Sequence, residues 1–181
     1  VWMAENLRVT KFNDGTSITL ADELSEWTEA ASQGVPVYTF PDKQQELTQD
    51  LGYKYNGFLL NLNNNVCPEG WLVPFQDDFN NMLVLISDNN NYEEFVEKNS
   101  NYWFSGVQNT SNITGFSARG AGVIDGNFIS EEFMSAQYYM TRTIVDNVRH
   151  LRFYVDGSTI RASYGNRGLQ DGFSIRCLKV N

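Results

Sequence analysis

Two cysteines, one histidine and several paired carboxylates are the residues of this chain that could do chemistry. Cys67 stands in CPEGW at 67–71 and Cys177 in GFSIRCLKV at 172–180. An even count permits one disulfide, which would staple the middle of the chain to its end and persist only in an oxidising compartment. Two inert buried thiols are the alternative. His150, between Arg149 and Leu151, is alone and forms no cluster. A zinc centre therefore lacks ligands if the cysteines are joined. A Ser-His-Asp triad would need His150 as base, and the chain has no nucleophile-elbow motif. The adjacent acids Asp77-Asp78, Glu93-Glu94 and Glu131-Glu132 read as solvated faces or helix-cap charges. Glycoside hydrolysis would need two carboxylates facing each other about 5 to 10 Å apart, which adjacency does not supply.

Other signals are weaker. Asp88 to Asn91 offers oxygens of the kind calcium takes. Gly120 and Gly122 lack a phosphate loop's Lys-Ser/Thr ending and read as a hairpin feature. The sequons at Asn109 and Asn112 mark exposed loop. The candidates for ligand contact are Trp103, Tyr138 and Tyr139, with Phe104 and Tyr154, beside the donors Arg149 and Asn166. An aromatic face with guanidinium or amide donors is how a shallow sugar or peptide site is commonly built. Alternate members of a strand must face the core, so at most half can serve. No catalytic residue, metal site or cofactor is expected.

The elements that must position these groups follow from composition and pattern. At 181 residues the chain is the size of one domain, and the expected organisation is a single domain over 1–181. Hydrophobic residues at 41% and aromatics at 14% place it among globular proteins. A formal charge of −9 argues against nucleic acid and anionic membrane surfaces as partners. Residues 142–181 carry seven basic and three acidic groups, a net +4, which leaves −13 on the first 141. That asymmetry fits either internal complementarity or a groove for an anionic ligand. No stretch approaches the roughly 20 apolar residues of a membrane span. The chain opens at Val1 without an initiator Met, so an export signal is expected to lie outside it.

Residues 1–12 read as an extended segment before the Asp14-Gly15 turn. Leu24, Trp27 and Ala31 recur at helical spacing within 21–32, ended by Gly34 and Pro36, and 36–40 reads as a short strand. A possible strand at Phe58 to Leu60 precedes a helix after Pro74, with Phe75, Phe79, Met82 or Leu83, and Ile86 on one face. Tyr92 to Lys98 is a second helical candidate. Strands are expected at Tyr102 to Val107, Phe116 to Ile124, Gln137 to Thr143, Val148 to Val155, Thr159 to Tyr164 and Phe173 to Val180, with hairpins at Asp125-Gly126 and Asp156-Gly157. Helices before hairpins predict an α+β domain, two or three helices packed on twisted antiparallel sheets.

Ordered landmarks add a resemblance. WMAENL at 2–7, NDGT at 13–16, Trp27, CPEGWLVPFQDDF at 67–79, GFSARGAGVIDGNF at 115–128, SAQYYMTR at 135–142 and GFSIRCLKV at 172–180 together resemble the Fibrobacter succinogenes major paralogous domain, a family of bacterial surface modules. The resemblance implies a C-type-lectin-like fold with one long-range disulfide. It also implies a place outside a Gram-negative bacterium or on its surface, on a lipoprotein or adhesive fibre. Leu72 and Phe79 stand where the family often has histidine and tryptophan, and a tyrosine-asparagine-tryptophan stretch is represented only by Phe58 to Leu62. The Glu-Pro-Asn, Gln-Pro-Asp and Trp-Asn-Asp tripeptides of calcium-dependent sugar-binding lectins are absent. The expected function is a noncatalytic extracellular binding or adhesion module whose partner is a glycan or a surface or host protein. The alternatives are an enzyme on the formylglycine-generating scaffold, with reactive cysteines, and a structural subunit of a surface fibre.

Overall fold

The structure, a computed structural model, describes residues 1–61, 64–84, 94–97, 101–104, 110–146, 149–156 and 161–180. It is a mixed α/β architecture of three helices and a large sheet. α1 (Leu24–Gln33) starts at a capping box in which the Glu26 carboxylate accepts from the Glu23 amide, and Gly34 closes it in the left-handed region at φ 65°. Its buried face is Trp27 and Ala30, while Leu24, expected on the stripe, is exposed on the first turn. α2 (Thr48–Leu51) is a single turn. α3 (Gln76–Val84) begins where the sequence predicts, with Asp77 and Asp78 in its first turn and the Asp78 carboxylate accepting from the Phe75 amide at 2.8 Å. Phe79 and Met82 face the core. Phe75 does not: it precedes the helix, is exposed, and lies under the Arg142 guanidinium at 5.4 Å. Ile86 lies outside the described residues.

Eleven strands are described: β1 (Thr19–Leu20), β2 (Val37–Thr39), β3 (Lys54–Asn56), β4 (Trp71–Leu72), β5 (Ala121–Ile124), β6 (Ser130–Phe133), β7 (Ala136–Asp146), β8 (Arg149–Asp156), β9 (Arg161–Gly168), β10 (Gly172–Phe173) and β11 (Leu178–Lys179). The large sheet runs β1-β2-β3-β10-β5-β7-β8-β9, with β6 on β5, and β11 pairs β4 apart from it. It is not purely antiparallel as expected: β1 with β2 and β5 with β7 are parallel. The expected terminal strand is split. Phe173 pairs β3, Ser174 bridges Tyr139, and β11 leaves for β4. Phe58 to Leu60 belongs to a 3₁₀ turn, Gly57–Asn61, rather than a strand. Of the helical candidate at 92–98 only 94–97 are described: Glu94 and Phe95 form a 3₁₀ and turn step and Val96 bridges Ala118, while Tyr102 to Phe104 form turn rather than strand. Residues 105–107 lie outside the described residues.

β7 from Ala136 to Thr141 and the stretch of β8 opposite it are covered on both faces. One face packs Tyr139 and Phe153 against Phe79, Phe95, Trp103 and Phe116. The other packs Tyr138 and Met140 with Leu7, Phe12, Tyr55, Phe173, Ile175 and the disulfide. Phe79 stacks on Phe153 at 4.4 Å between centroids, and burying one such side chain contributes about 2 to 3 kcal/mol. Cys67 and Cys177 are bonded, fully buried and 110 residues apart. At Gly122, with φ 60°, an added Cβ would lie 2.4 Å from the Glu131 carbonyl, so this glycine lets β5 and β6 close. Lys54 reaches from β3 across β10: its buried ammonium donates to the Gly122 carbonyl at 2.6 Å and the Ser174 hydroxyl at 3.1 Å. Burial draws its pKa down to about 7.

Candidate functional site

The aromatic candidates are not brought together. Trp103 is 5% exposed and its indole N–H donates to the Ala118 carbonyl at 3.0 Å, so it is core rather than a ligand platform. Tyr139 is fully buried among Phe79, Phe116 and Phe153. Tyr138, buried on the opposite face, donates its hydroxyl to Glu132, and burial followed by that carboxylate raises its pKa. Tyr138 and Tyr139 are withdrawn from solvent because both faces of the first half of β7 are covered, and Trp103 belongs to the layer that covers one of those faces. Tyr154 remains partly buried, with its ring stacked on Tyr138 and the Arg152 guanidinium 4.8 Å from its centroid. Phe104 is exposed.

Arg149 and Asn166 are exposed. The β8–β9 register, Arg149 opposite Gly168 and Leu151 opposite Asn166, puts them on one face near the end of the hairpin. Arg149 is engaged with Asp146 at 2.6 Å. Among the described ion pairs, Arg167 to Glu131 alone joins the acidic first part of the chain to its basic end. Arg176 is fully buried against Phe116 and Tyr139 and donates to Asn6 and to the carbonyls of Ala4 and Phe116. Among the described residues no group of three His, Cys, Asp or Glu side chains could hold a metal, and no helix is long and apolar enough to cross a membrane.

The structure instead forms a recess of about 570 Å³ whose walls come from five separate parts of the chain. Trp2 and Met3 supply one wall, Asp78, Asn81 and Met82 of α3 a second, Glu94 a third, Thr114 to Phe116 a fourth, and Leu178 of β11 the last. Backbone pairing fixes the first wall: Trp2 bridges Leu178, and the Met3 amide donates to the Cys177 carbonyl at 3.1 Å. The half-buried Trp2 indole rests on Phe79 at 4.8 Å and Phe116 at 5.6 Å. Arg176 holds the Phe116 carbonyl from behind, and the Asn112 side chain accepts from the Ser117 amide at 2.8 Å, closing the turn that carries Thr114. Phe116, Met82 and Leu178 make the floor apolar, while Asp78 and Glu94 put two carboxylates on the lining. Phe75 engages one Asp78 oxygen, leaving the other for a ligand donor.

Such an arrangement can seat an apolar group and hold a cationic or hydrogen-bond-donating neighbour at its mouth. Sequence reasoning passed over Trp2, Met82 and Phe116 as site residues. Their available signal was that WMAENL, CPEGWLVPFQDDF, GFSARGAGVIDGNF and GFSIRCLKV each contribute a wall.

These stretches, the fold and the disulfide define a class, and the chain belongs to it: the model of the Fibrobacter succinogenes major domain family matches residues 1–179. No curated protein and no solved structure matches the chain.

Proposed function

We propose that this protein is a noncatalytic binding or adhesion module of C-type-lectin-like architecture, working outside the cell or on the surface of a Gram-negative bacterium. The observation that carries the reading is the recess beneath Trp2. Its apolar floor, methionine-containing lining and carboxylates suit a protein partner that inserts an apolar side chain beside a lysine or arginine. The disulfide supports the extracellular setting, because it would not persist among reducing thiols. The enzyme alternative required reactive cysteines. Both cysteines are bonded and buried, and thiol titration of the folded protein tests that alternative directly.

The main test is a binding screen of the domain against glycans and bacterial surface and host proteins, with and without chelator. Trp2→Ala is expected to weaken the captured interaction about thirtyfold, as loss of a central aromatic anchor does, while the thermal transition stays cooperative. Asp78→Asn is expected to weaken it less and to reduce its salt dependence. Unchanged binding in folded Trp2→Ala would remove the recess from the mechanism. Self-association in place of any screen hit would favour the fibre-subunit alternative.

A further inference from the structure

We propose a second ligand site, specific for neutral saccharide, in the groove between the 45–49 turn and Tyr53. It extends the binding-module reading to another face and stands separately from the recess. The groove holds about 520 Å³ and is lined by Gln45, Glu46, Thr48, Gln49 and Tyr53. Its chemistry differs from that of the recess: two primary amides, a carboxylate, a hydroxyl and one phenol ring, with no aliphatic side chain on the lining.

The ring is a fixed platform. Tyr53 is half-buried and braced by Tyr38 at 4.5 Å, Phe40 at 6.2 Å and Tyr55 at 6.3 Å between centroids, and its amide donates to the Leu7 carbonyl at 3.1 Å. The opposite wall is thrown out by Asp42 and Lys43, two consecutive non-glycine residues in the left-handed region at φ 49° and 56°. On that wall no described residue hydrogen-bonds the exposed Gln45 or Gln49 side-chain amide. A sugar answers these groups together. Its C–H face stacks on an aromatic ring, and each hydroxyl both donates and accepts, as a glutamine amide does. Glu46 is the one charge on the lining, which disfavours anionic sugars. A peptide side chain would find no apolar wall opposite the ring.

The test is titration of the folded protein with cellotriose, maltotriose and diacetylchitobiose at millimolar concentration, followed by amide chemical shifts. At least one sugar is expected to give saturable shifts confined to residues 45–53. Tyr53→Ala should weaken that binding at least tenfold. Gln49→Ala, an exposed change that leaves the Tyr38 and Phe40 packing intact, should weaken it severalfold. Trp2→Ala should leave it unchanged, so failure of the recess and failure of the groove are read separately. Absence of shifts in 45–53 with all three sugars, or binding undiminished in both groove variants, would overturn the proposal.

Discussion

Trp103 illustrates how one residue type can serve opposite ends. From the sequence it is an aromatic near a strand pattern, equally suited to stacking a ligand or filling a core. In the fold its ring is buried and its N–H is used by Ala118. Trp103→Ala is therefore expected to cost about 3 to 5 kcal/mol, from the cavity and the lost hydrogen bond, and denaturant unfolding would read it. A wild-type midpoint in that variant would return Trp103 to the surface. Lys54 makes a pH-dependent case. Its folded pKa, about 7, lies below the ordinary lysine value of 10.5 because burial disfavours the ammonium. The unfolded chain then binds more protons between those values, so this group's contribution to stability rises with pH through the window and is lost as pH falls toward 7. Tyr55, Tyr138 and Tyr164, raised chiefly by burial, act oppositely near and above pH 10, which makes pH 7 to 9 the clean interval. Unfolding free energies there should climb by up to about 1.4 kcal/mol per unit from this site, and Lys54→Met should flatten the climb.

At the scale of elements, legibility followed how many faces each one buries. α1 and α3 were readable because each has a side-chain cap at its start, first-turn acids and a single buried stripe. β7, β8 and β9 were readable as strands from their alternation and turns, but not as to which side faces solvent. Tyr138 and Tyr139 belong to two different cores, so alternation there sorts residues between cores instead of between inside and outside. Phe173 to Val180 looked like one strand because apolar and polar residues alternate along it, yet residues 171–177 are all buried. That burial comes from serving β3, β7 and β4 in succession, and no local pattern encodes a change of partner. The recess was missed for a related reason: its walls adjoin only through tertiary structure. The groove was missed because glutamines and threonine in KQQELTQD read as ordinary surface until the Tyr53 ring is placed opposite them.

For the whole molecule, the long-range covalent link was the feature most visible in advance, since two cysteines leave one pairing. It closes a loop with a sequence separation of 110 residues, and loops of that order contribute about 4 to 5 kcal/mol in the chain-entropy description. Replacing both cysteines with serine should lower the melting temperature by about 10 to 15 °C, read by calorimetry without reductant. An unchanged melting temperature would mean that packing alone holds the C-terminal segment.

The backbone bonds along Trp2 and β11 also set how the module responds to tension. Lys179 donates to Val1, and Met3 donates to Cys177, so the two ends of the described chain lie side by side and run in opposite directions. A pull across them opens that ladder like a zipper, one rung at a time. Peeling of the final strand halts at the sulfur bridge, so an intact bridge shields the residues between Cys67 and Cys177 from extension by such a load.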